Sequence, residues 1–233
     1  VLQIYQPEVL LWIFARTSPT RAFDLVVDDQ IHRIYEEFDR NLQGSKLPDD
    51  HRAMSLARAN GRKVHPVPFR QLTSFSGIVQ RNHGALERIF DRMGTPYRQE
   101  EFEERLQKAE NWLEFYAPDQ RTVLRSERDD DYFRALAPQE KDWINELYRW
   151  LKEVSKFSVE EATEKVYAIP KKPEMTEKEL ASAQRRFFQI VYNLLFGKDK
   201  GPRLGTFLAA VPREQYLDLL NFTDSVAKPV RAG

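Results

Sequence analysis

The stretch PQEKDWINELYRWLKEVS, residues 138–155, carries the clearest structural pattern of the chain. Its large apolar side chains repeat at steps of one, three and four residues, which places them on one face of an α-helix. These side chains are Trp143, Ile144, Leu147, Trp150, Leu151 and Val154. Polar and charged residues fill the other positions, so the pattern predicts an amphipathic helix that packs one face on a core.

The same helical period recurs along the rest of the chain. The segment from Pro7 to about Arg16 is apolar on most sides, and we expect this helix to be buried. A second helix is predicted after Asp29, with its end at Gly44, and capping-box spacing marks helix starts at Ser158 and Thr176. Further helices are predicted near 68–81, 84–93, 98–116, 176–196, 203–210 and 212–221. Since no convincing strand alternation is found, the sequence predicts an all-α, multi-helix bundle.

The composition fits a folded protein without a net electrostatic bias. The 233 residues are 41% hydrophobic and 12% aromatic, and 36 Lys and Arg balance 36 Asp and Glu. Because the formal net charge is zero, any binding of nucleic acid must come from local basic patches. The chain has no cysteine, which excludes disulfides, thiol catalysis and cysteine zinc sites.

The apolar segments are too short to predict a membrane contact. The run from Val9 to Ala15 cannot cross a bilayer, and no charged leader precedes it. Together with the lack of cysteine, this favours a cytoplasmic protein, with a secreted protein that has no disulfides as the alternative. The chain begins with Val1 and enters a helical pattern directly, so we expect it to be a piece of a longer protein.

Catalytic and metal chemistry find little support in the residue pattern. No two of the four histidines are three or four residues apart, so no local two-histidine metal face is encoded. The stretch GKDKGPR, residues 197–203, lacks the Gly-Lys-Ser/Thr ending of a phosphate loop and follows a predicted helix instead of a strand. We therefore predict no catalytic residue and no metal site in this chain.

Basic residues are concentrated in the segment 45–70, whose prolines and Gly61 indicate a long connection with at most one short helix. It carries six bases against two acids, whereas 97–116 carries three bases against six acids. A basic irregular segment beside aromatic residues is one way in which a helical domain binds RNA, although an ordinary solvated loop has the same composition. The candidate RNA contacts here are Arg52, Arg58, Arg62 and Lys63.

A second basic cluster surrounds the predicted helix 176–196. Its cations would bind RNA or simply complement the dipole at the helix end, and both interpretations stay open. Arg203 is expected in the first turn of the next helix, where free N–H groups favour an anion. Phe187 and Phe188 are adjacent and cannot share one face, so the more exposed of them is a candidate for stacking on a base. The candidate RNA contacts are Lys171, Lys172, Arg185, Arg186, Lys198, Lys200 and Arg203.

Four stretches of the chain resemble the class I lysyl-tRNA synthetases. Residues 6–24, QPEVLLWIFARTSPTRAFD, are similar to the segment after the second catalytic signature loop of that family, and residues 29–40 are similar to the helix that follows. The stretch NWLEFYAP, residues 111–118, resembles a helix end that contains tryptophan and tyrosine. The stretch FFQIVYNLLFGKDKGPRLGTF, residues 187–207, resembles the closing segment, where a helix ends in glycine before a Gly-Pro-Arg turn.

This resemblance implies the anticodon-binding region of such an enzyme. The implied fold is an α-helix cage, with 1–44 as a segment that contacts the tRNA stem and 45–233 as the domain that binds the anticodon loop of lysine tRNA. The parent enzyme would attach lysine to this tRNA with ATP and Mg²⁺. Neither catalytic signature motif of the family is present, so the chain alone is expected to be inactive and to need no cofactor.

Two other hypotheses remain open from the sequence. Another class I synthetase, the glutamyl type first, would use a similar helical domain and differ in its anticodon preference. A helical protein-interaction module without a nucleic-acid role would instead show an exposed apolar patch and no anion site near Arg203. Binding of RNA requires a continuous basic face.

Overall fold

The structure is a computed structural model that describes residues 1–18, 25–44, 47–80 and 82–223. Within these ranges the chain is helical and forms no strand, so the predicted all-α class is confirmed. The α-helices of the described residues are α1 Pro7–Arg16, α2 Gln30–Gly44, α3 Pro48–Ala57, α4 Phe69–Val79, α5 His83–Arg92, α6 Gln99–Phe115, α7 Asp130–Ala135, α8 Pro138–Glu153, α9 Val159–Ala168, α10 Glu177–Phe196 and α11 Leu204–Ala210.

The chain forms two compact units. Unit 1 comprises Val1–Glu87 and Pro96–Arg121, and unit 2 comprises Arg88–Thr95 and Thr122–Gly233. The division falls inside α5. The boundary between the predicted stem-contacting segment 1–44 and the predicted anticodon-binding domain 45–233 lies within unit 1. This division was defined by contact with tRNA, and it stays a prediction.

Unit 1 is built around a cluster of stacked aromatic rings. In this unit α1 packs on α3 and α2, α2 packs on α4, and α4 packs on α6. Tyr35 of α2 stacks on Phe69 of α4, with ring centroids 4.2 Å apart, and on Tyr5 at 6.0 Å. His32, one helical turn earlier, contacts the rings of Phe69 and Trp112. Since Tyr35, Phe69, Tyr5 and Trp112 are at most 1% exposed, this cluster forms the core that joins α2, α4 and α6.

A buried polar network ties α1 and α2 to α6 in the same unit. Arg105 of α6 is 1% exposed and donates to the carboxylate of Asp39, to Gln6 Oε1 at 2.7 Å and to the carbonyl of Val67 at 2.7 Å. Glu8 is also fully buried and accepts from Asn60 Nδ2 at 2.7 Å. Because unpaired charge is costly away from water, these partners are what permits both charged groups to lie inside.

The expectation that α1 is buried on most sides is wrong. Leu11 is 46% exposed and Phe14 is 57% exposed, whereas Val9, Leu10 and Trp12 lie in the core. A helix presents its residues in all directions, and the described neighbours of α1 in unit 1 bury Glu8, Val9, Leu10 and Trp12 but leave Leu11 and Phe14 about half exposed. Its apolar composition therefore exceeds what this unit buries.

Unit 2 packs α8 against α10 and α9 against α11. Trp143 of α8 meets Phe187 of α10 edge to face, with ring centroids 6.3 Å apart. At the other contact Gly205 of α11 lies so close to α9 that a Cβ at this position would be 2.9 Å from the backbone nitrogen of Thr163. The close approach requires a residue without a side chain at position 205.

Two sequence predictions in unit 2 need correction. The predicted helix at 212–221 is two short 3₁₀ helices, Arg213–Gln215 and Asp218–Leu220, which place Tyr216 in the core with its hydroxyl donating to the carbonyl of Leu208 at 2.8 Å. The acidic stretch around 127–131 leads into α7, a helix that is absent from those predicted. There the side chain of Asp129 caps the helix by accepting from the Tyr132 N–H, and acids in the first turn favour a helix start.

Candidate nucleic-acid interface

The predicted cations of unit 2 lie around α10 and the segments that flank it. Helix α9 begins with the capping box predicted at Ser158, and α10 begins with the one predicted at Thr176. Helix α10 ends at Gly197, which adopts a left-handed conformation with φ of 68° that glycine accepts without strain. These local signals set where the helices start and stop, and hence where the flanking lysines emerge.

Lys171, Lys172 and Arg185 are exposed at the end of α9 and along α10. Lys171 and Lys172 follow the end of α9, where the Lys171 N–H donates to the carbonyl of Ala168 at 3.0 Å. Arg185 lies in the third turn of α10. None of the three forms an ion pair with another described residue, so their charges remain available to a ligand.

Arg186, one residue further along α10, is engaged within the protein. Its Nε is 2.7 Å from Glu140 Oε1 of α8, and its Nη2 is 3.4 Å from the other oxygen of this carboxylate. The hydrogen bond from Arg186 lowers the pKa of Glu140, and the same bond raises the pKa of Arg186. The structure thus separates two adjacent arginines that the sequence grouped together: Arg185 is exposed and unpaired, while Arg186 links α10 to α8.

The remaining cations of the cluster lie beyond Gly197. Lys200 and Arg203 are exposed, whereas Lys198 is half-buried and has an interaction within the protein. Arg203 is the residue before α11, not part of its first turn, and α11 has only seven residues. Arg203 thus lies one residue before its predicted position, and only its side chain is considered for binding an anion.

The structure distinguishes the two adjacent phenylalanines proposed for base stacking. Phe187 is fully buried against Trp143, so it has no face open to a base, and the stacking role is wrong for this residue. Phe188 is half-buried and lies on the outer side of α10. The two residues differ because successive positions of a helix are about 100° apart, which turns one ring inward and the next outward.

Phe188 belongs to an aromatic row on one face of α10. Phe188, Tyr192 and Phe196 follow one another at four-residue spacing, with centroid distances of 6.4 Å and 6.2 Å between neighbours. The row continues to Tyr167 of α9, whose ring centroid is 5.0 Å from that of Phe188. Burial is the main reason that the pKa of the Tyr192 phenol is raised to about 12.

Gly201 joins the far end of this aromatic row to the second group of cations. A Cβ at Gly201 would lie 2.9 Å from Tyr192 Cδ1, and the Tyr192 hydroxyl donates to the carbonyl of Pro202 at 2.8 Å. This holds the turn between Lys200 and Arg203 against the rings. We name the whole arrangement the α10 surface: the cations Lys171, Lys172, Arg185, Lys200 and Arg203, with the rings Tyr167, Phe188 and Tyr192.

In the predicted basic segment of unit 1, one candidate cation forms ion pairs within the protein. Arg62 Nη2 is 2.8 Å from Glu104, and its Nη1 is 3.6 Å from the buried Glu8. Three other candidates, Arg52, Arg58 and Lys63, are exposed without an ion pair to a described residue. Lys46 and the positions 19–24 quoted for the family resemblance lie outside the described residues.

Two features of the described residues were not predicted from the sequence. One is Tyr167 in the aromatic row; its only sequence signal is its place four residues before Lys171. The other is the buried Arg105, which the charge count had treated as one of the bases in an acidic segment. No helix of the described part is both long and apolar enough to cross a membrane. No group of three or more possible metal ligands occurs among the described side chains.

Comparison with known proteins identifies relatives of this chain. No family model matches it. It is 33% identical to a lysine–tRNA ligase of Streptomyces coelicolor, over 94% of this chain and 41% of that protein. It is 28% identical to the lysine–tRNA ligase of Thermococcus kodakarensis, over 91% of this chain, and 26% identical to that of Borreliella burgdorferi, over 93%. Each of these last two matches covers 42% of the relative.

These matches agree with the predicted resemblance in two respects. They extend over nearly the whole chain, and they involve only a part of each longer relative. The chain is thus related to a part of the class I lysyl-tRNA synthetases, which confirms the resemblance predicted from its sequence, and it spans about two fifths of the length of the relatives it matches.

Proposed function

We propose that this chain is the tRNA-binding part of a lysine–tRNA ligase and that the α10 surface binds the anticodon loop of lysine tRNA. One observation carries this proposal: exposed cations without ion-pair partners among the described residues flank a row of partly exposed aromatic rings. Cations hold phosphates and rings stack on bases, which is the combination that binds unpaired RNA. The relatedness to lysine–tRNA ligases supports tRNA as the ligand.

The two kinds of group on the α10 surface would have different tasks. Lys171, Lys172 and Arg185 would contact the backbone of the loop and set its orientation, because phosphate contacts carry no sequence information. Bases splayed from the loop would then reach the ring of Phe188 and its neighbours. From Phe188 to Phe196 the row extends about 12 Å at 1.5 Å per residue, which gives room for more than one base.

Unit 1 would contribute contacts to another part of the tRNA. On α2, Arg33 and Arg40 are exposed, and neither forms an ion pair with a described residue. They support the predicted role of residues 1–44 as a segment that contacts the stem. Arg52, Arg58 and Lys63 add positive charge in the same unit.

The ligase of which this chain would form part attaches lysine to its tRNA. As part of this proposal, the whole protein uses ATP and Mg²⁺, and it acts in the cytoplasm, where tRNA is charged. The residues of this chain position the tRNA and are assigned no step of the reaction.

The first test is binding of the chain to a lysine tRNA transcript and to the same transcript with its anticodon replaced, at low and moderate salt. We expect tighter binding to the native anticodon and a decrease of affinity with salt, because phosphate contacts release counterions. Equal binding to both transcripts would contradict recognition of the anticodon. Preference for a glutamate anticodon would indicate the glutamyl type.

A pair of variants tests whether the α10 surface is the binding site. Lys171→Glu with Lys172→Glu should abolish most of the binding, because two attractive charges become repulsive. The matched control is Arg149→Glu with Lys156→Glu, which changes two exposed cations of the same unit that are not assigned to the α10 surface. If both double variants lose affinity equally, the effect is one of net charge and the assigned site is wrong.

A protein-interaction role is the second candidate, and the exposed side of α1 favours it. Leu11 and Phe14 lie three residues apart on one face and are about half exposed, which is the kind of apolar surface that this hypothesis predicts. Sedimentation of the chain over a range of concentrations tests self-association through this face. Loss of association in Leu11→Ser with Phe14→Ser would support the role, and a strictly monomeric wild type would oppose self-association.

A further inference from the structure

Tyr167 is the most exposed ring of the α10 surface. It lies in the last turn of α9, and its side chain is 48% exposed, whereas Phe188 and Tyr192 are half-buried and Phe196 is buried. An aromatic ring left open to this extent loses apolar contact that the fold could have provided. Tyr167 therefore offers a ring surface that the fold leaves uncovered.

Two contacts with α10 position Tyr167. Gln184 of α10 donates from Nε2 to the carbonyl of Tyr167 at 3.0 Å, which fixes the end of α9 against α10. The ring of Phe188 meets that of Tyr167 at an interplanar angle of 73°, an edge-to-face contact. Behind Phe188 lies the fully buried Phe187, with ring centroids 5.8 Å apart. The ring of Tyr167 thus packs against α10, and about half of its surface faces solvent.

We infer that Tyr167 is a stacking platform for an unpaired base of the bound RNA, an inference that rests on the proposed function and assigns a residue to it. A tyrosine ring has few rotatable bonds, so little entropy is lost when a base stacks on it. Lys171 and Lys172, four and five residues further along the chain, are placed to hold the phosphates of the same nucleotides. The ring contributes stacking, which is tolerant of base identity, and the cations contribute orientation.

Exposure alone does not make a stacking site, and the chain offers a matched comparison. Tyr116 of unit 1 is 43% exposed and follows the C-terminus of α6, as Tyr167 ends α9. The five residues that follow Tyr116 carry one acid and one base, Asp119 and Arg121, whereas the five that follow Tyr167 carry two bases, Lys171 and Lys172, and no acid. A phosphate backbone is therefore attracted less strongly beside Tyr116. Tyr116 is the control for an exposed tyrosine without a pair of neighbouring cations.

The experiment uses the full chain and a hairpin RNA with the anticodon loop of lysine tRNA, in which 2-aminopurine replaces one loop base at a time. Affinity and fluorescence are measured for the wild type, Tyr167→Ala, Tyr167→Leu, Tyr167→Phe and Tyr116→Ala. Stacking on an aromatic ring is worth about 5-fold to 150-fold in affinity. We expect that loss in the Ala and Leu variants, recovery to within about twofold in the Phe variant, and no change at Tyr116. At one loop position, binding of the wild type should quench the 2-aminopurine fluorescence, and this quenching should be absent in the Ala and Leu variants, which lack the ring.

The outcomes separate this inference from the function on which it rests. Salt-dependent binding by the wild type with no loss in Tyr167→Ala would overturn the stacking role while leaving the α10 surface intact. Absence of binding by the wild type would overturn both. Loss of affinity in the Phe variant as well would also overturn stacking, because that variant keeps the ring. Tyr167→Leu retains an apolar contact to Phe188, so its thermal unfolding shows whether lost affinity reflects a lost fold.

Discussion

Arg105 Nη1 lies 2.8 Å from both carboxylate oxygens of Asp39, with the arginine side chain 1% exposed and the aspartate 13% exposed. Asp39 belongs to α2 and Arg105 to α6, so the pair links two helices that are 66 residues apart in sequence. The pKa of Asp39 is raised to about 6 because burial disfavours its charged form more than Arg105 favours it. The attraction of Arg105 therefore offsets only part of the cost of burying the charged Asp39 carboxylate.

Removing Asp39 should destabilise the protein strongly. Asp39→Ala leaves the buried Arg105 guanidinium without its counter-charge, which costs about 3 to 5 kcal/mol. Urea denaturation followed by tryptophan fluorescence measures this change in the free energy of unfolding. Glu37→Ala is the control from the same helix, because Glu37 pairs with Arg16 at 2.7 Å where both side chains are 33% exposed. Such an exposed pair is worth less than about 1 kcal/mol, so equal losses in the two variants would contradict the role assigned to burial.

His32 should make the protein less stable as the pH falls. Burial is the main cause that lowers the pKa of His32 to about 4; the positive charge of Arg70 adds to the lowering. Because the unfolded chain binds the proton more readily, the stability contributed by neutral His32 is complete above pH 6.5 and is lost as the pH falls towards 4. Asp39 acts in the opposite sense, since a raised carboxyl pKa contributes stability at low pH that is lost as the pH rises through 6.

The comparison of wild type with His32→Gln isolates the histidine, because Asp39 is present in both proteins. We expect the free energy of unfolding of the wild type, relative to the variant, to decrease from pH 7 to pH 4. Chemical denaturation at pH 7, 6, 5 and 4 measures this difference. A difference that stays constant over the four values would show that His32 does not titrate differently in the folded chain.

Gly205→Ala should destabilise unit 2 at the contact between α9 and α11. The new Cβ would lie 2.9 Å from both the N and Cα atoms of Thr163 and would also clash with Thr163 Oγ1, so the two helices would have to separate. Overpacking of this kind costs about 1 to 3 kcal/mol. Thermal unfolding measures the change, with Gly44→Ala as control: no atom lies within 4 Å of a Cβ at Gly44. The prediction fails if both substitutions leave the melting temperature unchanged.

Arg185→Ala should weaken RNA binding more than Arg186→Ala, although the residues are adjacent. Arg185 has no ion-pair partner among the described residues, whereas Arg186 is bound to Glu140. Loss of one phosphate contact should reduce the slope of log affinity against log salt by about 1. Binding of lysine tRNA transcript at several salt concentrations measures both slopes. A larger effect at Arg186 would mean that RNA displaces Glu140, contrary to the structure.

The sequence determined the helical class and most helix bounds, because these depend on short-range signals. The 3.6-residue period predicted α8, and the capping boxes at Ser158 and Thr176 set where α9 and α10 begin. Gly197 marked the end of α10 for an equally local reason, its left-handed conformation. The family resemblance was visible in the same way, since it consists of contiguous residues.

Only the tertiary structure decided which side chains are available to a ligand. Phe187 and Phe188 look alike in the sequence, yet the position of α8 buries one of them and leaves the other at the surface. The same holds for Arg62, which acids distant in the chain neutralise, and for Arg105, which the packing of α6 draws into the core. Burial and charge pairing depend on residues that are far apart in sequence and close in space. Composition and periodicity describe only short-range patterns, so they do not predict those contacts.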